Sequence, residues 1–193
     1  MAGQGEPQQP GLFTPAVGVV IGYVLLAGNP WLNRDITIAL SDADSAVRII
    51  SVLFSYASWH VDVDRVGPFL FWFANLRAVL FVALTIAGLA STSRWVRETA
   101  GRTGLFVVTV GLTTLSAVTA ELGSAALTVT LMDTSATYGY FAPDRSGEFF
   151  LSLFSTSASF GMLFGLVLGA VVAAERRAPA NGERRADTPK SFW

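Results

Sequence analysis

The chain has no cysteine and one histidine, and only 14% of its 193 residues are charged. Without cysteine there can be no disulfide, no thiolate metal site and no cysteine nucleophile. With His60 alone, paired-histidine zinc motifs such as H-E-x-x-H are excluded. An average soluble domain carries roughly a quarter charged residues, so this shortage of charge argues against a surface that faces water on all sides. A net charge of −1 supplies no basic excess for phosphate backbones, and nucleic acid is not an expected partner. Also missing are the G-x-S-x-G nucleophile elbow, the phosphate loop and the glycine-rich dinucleotide fingerprint. The chain therefore reads as non-enzymatic, with no cofactor expected.

What is abundant is apolar: 52% of residues are hydrophobic, with 14 Phe, 5 Trp and 18 Gly. A membrane-crossing helix needs about 20 mainly apolar residues, because the hydrocarbon core is ~30 Å thick and a helix rises ~1.5 Å per residue. Four runs qualify, at residues 12–28, 69–90, 105–132 and 149–174. The first ends at Asn29-Pro30, a helix stop. It reads as a retained helix rather than a cleaved signal, because Glu6 stands where a signal carries Lys or Arg, and no small-x-small cleavage site follows. The expected fold is all-α: an integral membrane four-helix bundle in one domain, its lipid-facing surface in contact with the bilayer.

Lys and Arg in the short connections set the orientation. The connection at 93–104 and the C-terminal tail hold eight basic residues, against four in the connections at 30–66 and 133–147. Both termini are therefore expected in the cytoplasm, with residues 1–10 and 175–193 as disordered tails. Twelve of the 13 basic residues are Arg, a bias that suits high-GC coding and a bacterial cytoplasmic membrane. Trp31, Trp59 and Trp72 fall near expected outer ends, where amphipathic rings favour the headgroup layer.

The long connection at 30–66 carries its own pattern. Ser41 and Asp44 resemble a capping box, and Asp44, Arg48, Ser51, Ser55 and Ser58 recur at 4-3-4-3 spacing with apolar residues opposite. An extra amphipathic helix in this first outer loop is expected, covering the mouth of the bundle. His60, Asp62 and Asp64 would alternate onto one face of an extended segment, a weak candidate metal site.

Two ionisable residues interrupt the apolar runs. At a helix centre such a residue costs at least ~2.5 kcal/mol on insertion scales, so it faces the bundle and has a partner. Arg77 lies ~18 Å and Glu121 ~24 Å above the inner boundary, within combined reach, so the two are expected to pair. Such a pair either pins two helices together, with Asn75 and the Ser and Thr of the third run completing its hydrogen bonds, or serves a substrate, ion or proton.

In the fourth run Ser157, Gly161, Gly165, Gly169 and Ala173 recur every four residues, a glycine zipper that lets another backbone approach closely. The expected partner is the first helix, through Gly18 and Gly22; the open alternative is a membrane protein partner or a second copy of the chain. The functional expectation is an accessory, assembly or scaffold subunit of a membrane complex, or else a small transporter or channel component using Arg77 and Glu121.

Overall fold

A computed structural model of the chain describes residues 14–41, 45–96, 101–132 and 146–175. Among these, all regular structure is helical: α1 (Thr14–Ala27), α2 (Pro30–Ser41), α3 (Ser45–Ala57), α4 (Val63–Val66), α5 (Pro68–Val96), α6 (Arg102–Leu131) and α7 (Ser146–Glu175). The tails expected at 1–10 and beyond Glu175, the capping residue Asp44 and most of the connection at 133–147 lie outside the described residues.

Three helices are long and apolar enough to cross a membrane, over Pro68–Thr92, Arg102–Leu131 and Gly147–Glu175. Their burial is inverted relative to a water-soluble protein. Val79, Val107, Leu115 and Leu151 are each more than 60% exposed, whereas Thr85, Thr113, Ser124, Thr128 and Ser157 are fully buried. On α6 the buried residues Thr109, Thr113, Ser116, Ala120, Glu121, Ser124 and Thr128 form a small and polar stripe. Bilayer-facing helices show this arrangement because Leu and Val meet lipid at no penalty while polar groups seek partners inside.

The run at 12–28 holds a single helix, α1, that stops at Asn29-Pro30 and is short for a crossing. The 14 residues of α1 reach only ~21 Å, short of a ~30 Å core, and the chain then bends by 71° into α2. Local chemistry explains the break. Pro30 lacks an N–H and sits at the first position of α2, and the Asn29 side chain accepts from Trp31 N at 3.0 Å as the cap. A Cβ at Gly28 would collide with the Ala57 carbonyl, so glycine lets the end of α3 approach the bend.

α3 occupies part of the connection at 30–66, and it does more than cover the bundle from outside. Tyr56, near its C-terminus, is 2% exposed. Its hydroxyl donates to Ala117 O at 2.7 Å, and Ala117 lies midway along α6. The Tyr56 ring stacks on Phe160 with centroids 3.9 Å apart and meets Phe81 edge-on at 5.9 Å. Tyr23 of α1 joins the same aromatic cluster, 4.3 Å from Phe164. The last turn of α3 is thus inserted among α1, α5, α6 and α7.

Gly67, with φ 83°, ends α4 in a conformation that favours glycine. Pro68 then opens α5.

Candidate functional site

The inserted end of α3 raises a physical problem. The last carbonyls of a helix have no intrahelical partner, and where other helices enclose them water is not there to replace one. Side chains from four directions supply the donors. Tyr23 Oη donates to Leu53 O, Asn33 Nδ2 to Phe54 O, and Ser58 Oγ to Ser55 O at 2.9 Å. Arg77 Nη2 also reaches Ser55 O at 3.5 Å. At the broken end of α1, Asn33 Nδ2 donates to Ala27 O at 3.1 Å and Trp59 N to Gly28 O at 3.1 Å, while Trp59 Nε1 at 3.2 Å adds a second donor to Val24 O, which also accepts from Gly28 N.

Arg77 is the centre of this arrangement. It is 8% exposed and Glu121 1%, and its Nη1 lies 3.3 Å from Glu121 Oε1 and 3.4 Å from Oε2. Its Nη2 is 3.4 Å from Ser58 Oγ. The guanidinium carbon lies 4.8 Å from the Tyr56 ring centre and 5.2 Å from that of Phe73. A planar guanidinium has donors in its plane and faces that accept rings; here the donors meet Glu121 and the end of α3 while aromatic rings flank it. The positive charge also faces the negative end of the α3 dipole. Arg77 Nε has no hydrogen-bond partner among the described residues.

The partners differ from those expected. Asn75 is engaged elsewhere, holding the backbone of residue 60 reciprocally: His60 N donates to Asn75 Oδ1 and Asn75 Nδ2 to His60 O, both at 3.0 Å. The hydroxyls of α6 turn back onto their own helix, Thr109 to Leu105 O and Thr113 to Thr109 O at 2.7 Å each. The serine that reaches Arg77 comes from beyond α3 instead. Sequence reading missed Asn33 and Trp59 as partners of the interrupted backbone, and Tyr56 as a donor to the middle of α6. The usable signal was length, since a run ending at Asn29-Pro30 is too short for a full crossing.

His60, Asp62 and Asp64 do not form the expected metal face. No cluster of three metal-ligating side chains occurs among the described residues. The segment after Asp62 is helical rather than extended, and the Asp62 carboxylate caps α4 by accepting from Asp64 N at 3.0 Å and Arg65 N at 3.3 Å. Burial and the nearby Arg77 charge lower the His60 pKa from its ordinary value.

The glycine stripe of α7 packs on α6, not on α1. A Cβ at Gly161 would lie 2.5 Å from Thr114 Cα, one at Gly165 3.0 Å from Val110 Cα, and one at Gly169 3.0 Å from Phe106 Cδ2. Cβ atoms at Gly18 and Gly22 would meet nothing within 4 Å. Ser157 is buried and donates to Leu153 O at 2.8 Å, and Ala173 borders a groove with Arg102 and Phe106. The reason for the different partner is reach: α7 runs beside a full-length α6, whereas α1 is less than half as long.

No family model matches the chain, and no curated protein or solved structure matches it.

Proposed function

We propose that this chain is a small, non-catalytic integral membrane protein, an accessory or assembly subunit of a membrane complex. The observation that carries the reading is that Arg77 spends its terminal donors on Glu121, Ser55 and Ser58 within the protein, between two aromatic rings. A charge pair enclosed in this way is suited to holding α3, α5 and α6 together. A relay would need a second titratable group in line with it and a path for water.

In this proposal the protein crosses a bacterial cytoplasmic membrane as a four-helix bundle. α1 and α2 act as one broken span, α3 is the additional amphipathic helix, the α7 glycine zipper is the tightest internal seam, and both termini are cytoplasmic. The basic residues around 94–102 support that orientation. An apolar groove of about 570 Å³ between α6 and α7, bordered by Val107, Gly111, Leu115 and Met162, offers a seat for a helix of a membrane partner. The absence of cysteine makes the topology directly testable. Asp64→Cys and Thr103→Cys should react with an impermeant maleimide from opposite faces of the membrane; labelling from the same face would overturn the threading.

A second reading, a small transporter or channel component, is favoured by the helix break between α1 and α2, since discontinuous helices build many transport sites. Reconstitution into vesicles separates the two. No proton, Na⁺ or K⁺ flux above that of empty vesicles is expected. Flux that Glu121→Gln abolishes would overturn the accessory reading and establish transport.

A further inference from the structure

Two cavities lie near the bend between α1 and α2, one bordered by Pro30 and Trp31 and the other by Val24 and Leu25. The lower one is an apolar groove of about 670 Å³ along the outside of the molecule, between Ile21 and Leu25 on α1 and Val79, Val82 and Ala83 on α5. Its end is formed by Trp59 and Asn75. The upper one is a polar cleft of about 190 Å³ whose wall includes Arg34, Asp35, His60, Asp62 and Arg65. One ordered water needs only ~15 Å³ of such space, so the cleft has room for a polar headgroup. Their walls are linked by hydrogen bonds, because Asn75 in the lining of the groove holds the backbone of His60 in the wall of the cleft.

An apolar groove with a charged cleft close by fits an amphiphile. The charge pattern narrows its chemistry. The cleft presents two guanidinium groups and two carboxylates, and among the described residues none of the four is in an ion pair. A purely anionic headgroup would gain from Arg34 and Arg65 but be opposed by Asp35 and Asp62. A zwitterion carrying a phosphate and a primary ammonium satisfies both signs, with the phosphate accepting from guanidinium groups and ammonium N–H groups donating to carboxylate. The exposed indoles of Trp31 and Trp72, 68% and 50% accessible, flank this level as interfacial rings do.

We propose that the bend forms a binding site for one zwitterionic phospholipid with a primary ammonium headgroup, its headgroup in the cleft and an acyl chain in the groove. The site rests on the membrane-embedded reading given above.

The test uses the full chain, purified in detergent and titrated with phosphatidylethanolamine, phosphatidylcholine or phosphatidylglycerol of identical acyl chains, with retained lipid counted by native mass spectrometry. One phosphatidylethanolamine per chain is expected, held about tenfold more tightly than phosphatidylcholine, whose quaternary ammonium has no N–H to donate. The Arg34→Gln, Arg65→Gln double variant should lose that preference, and Ala83→Trp should reduce retention of every lipid by filling the groove. Circular dichroism on both variants separates loss of the site from loss of the fold. Equal retention of the three lipids, preference for phosphatidylglycerol, or a preference unmoved in the double variant would each overturn the proposal. Alkaline extraction of membranes keeps the two levels distinct: a chain that stays in the membrane without lipid preference fails the lipid site alone, and a chain that is released fails the membrane reading.

Discussion

The seam between α6 and α7 and the junction of α1 with α3 hold apolar helices together by opposite means. At the seam, Gly161, Gly165 and Gly169 bring a helix face so near Thr114, Val110 and Phe106 that added Cβ atoms would lie only 2.5–3.0 Å from them. At the junction, the helices are short and broken, and Tyr23, Asn33, Ser58, Trp59 and Arg77 donate to backbone carbonyls at the helix ends beside the breaks. The first is dispersion over a long smooth contact. The second is hydrogen bonding to helix-end carbonyls, whose loss inside the protein costs about 1–3 kcal/mol each. Intact helices can rely on shape alone, whereas interrupted helices require polar side chains aimed at the interruptions.

The comparison breaks most severely at Arg77. Arg77→Met leaves Glu121 buried without its counter-charge and removes a donor from the end of α3, for an expected loss of about 3–5 kcal/mol. Glu121→Gln should lose less, because an amide still accepts from Arg77. In the double variant no uncompensated charge remains, so its loss should fall below the sum of the singles. Thermal unfolding of the four proteins in one detergent measures this; strict additivity would mean that the two side chains are not coupled.

The seam should respond in a graded way. At Gly161 the obstacle is backbone at 2.5 Å, at Gly165 it is backbone at 3.0 Å, and at Gly169 the Phe106 ring comes first at 3.0 Å with the Phe106 carbonyl behind it at 3.2 Å. Leucine at the three positions should therefore destabilise in the order 161, 165, 169, from about 3 kcal/mol down to about 1 kcal/mol. The ring can turn aside and a backbone cannot. Equal losses at the three sites would show that close backbone approach does not govern the seam.

The two regions also differ in how far they can be read from sequence. The small-residue period of α7 is visible without a structure, and so are Arg77 and Glu121, because a charge within an apolar run must be accommodated somewhere. Their surroundings are harder to read. The period of Gly161, Gly165 and Gly169 states that something comes close but not which helix, and Gly18 and Gly22 offered a matching pattern on a helix too short to use it. Donors to broken backbone leave no periodic trace: Asn33, Trp59 and Asn75 are single polar residues whose role exists only once α1 has bent at Gly28 and α3 has turned inward. The bend itself had a local signature in Gly28-Asn29-Pro30. The metal face at His60, Asp62 and Asp64 failed for a similarly local reason, since Asp62 begins a helical turn and caps it.

A smaller effect tests the junction through pH. The pKa of His60 is lowered in the folded protein by burial and by Arg77, so below the ordinary value near 6.5 the unfolded chain binds more protons at this residue than the folded one. Stability should be complete above that value and decline as pH falls through it. His60 is only partly enclosed, so the decline should be shallow. It should disappear in His60→Gln, which preserves the backbone contacts to Asn75; a variant with the unaltered wild-type pH profile would place the titrating group elsewhere.

The smallest expected effect has the opposite sign, and for that reason it separates the two regions most cleanly. Gly18 and Gly22 follow the same four-residue spacing as the α7 stripe, yet a methyl group at either would enter open space. No close approach needs to be preserved there. Alanine in a helix retains less backbone freedom to lose on folding than glycine does, a difference of roughly 0.5–1 kcal/mol. Gly18→Ala and Gly22→Ala should therefore each stabilise the protein by a few tenths of a kcal/mol up to about that amount, while Gly161→Ala should destabilise it. Measured side by side as shifts in thermal midpoint, identical substitutions at identical spacing should move the protein in opposite directions. Destabilisation at 18 or 22 comparable to that at 161 would mean that α1 has a close neighbour on that face, and would return the first helix to the role that its glycine spacing suggests.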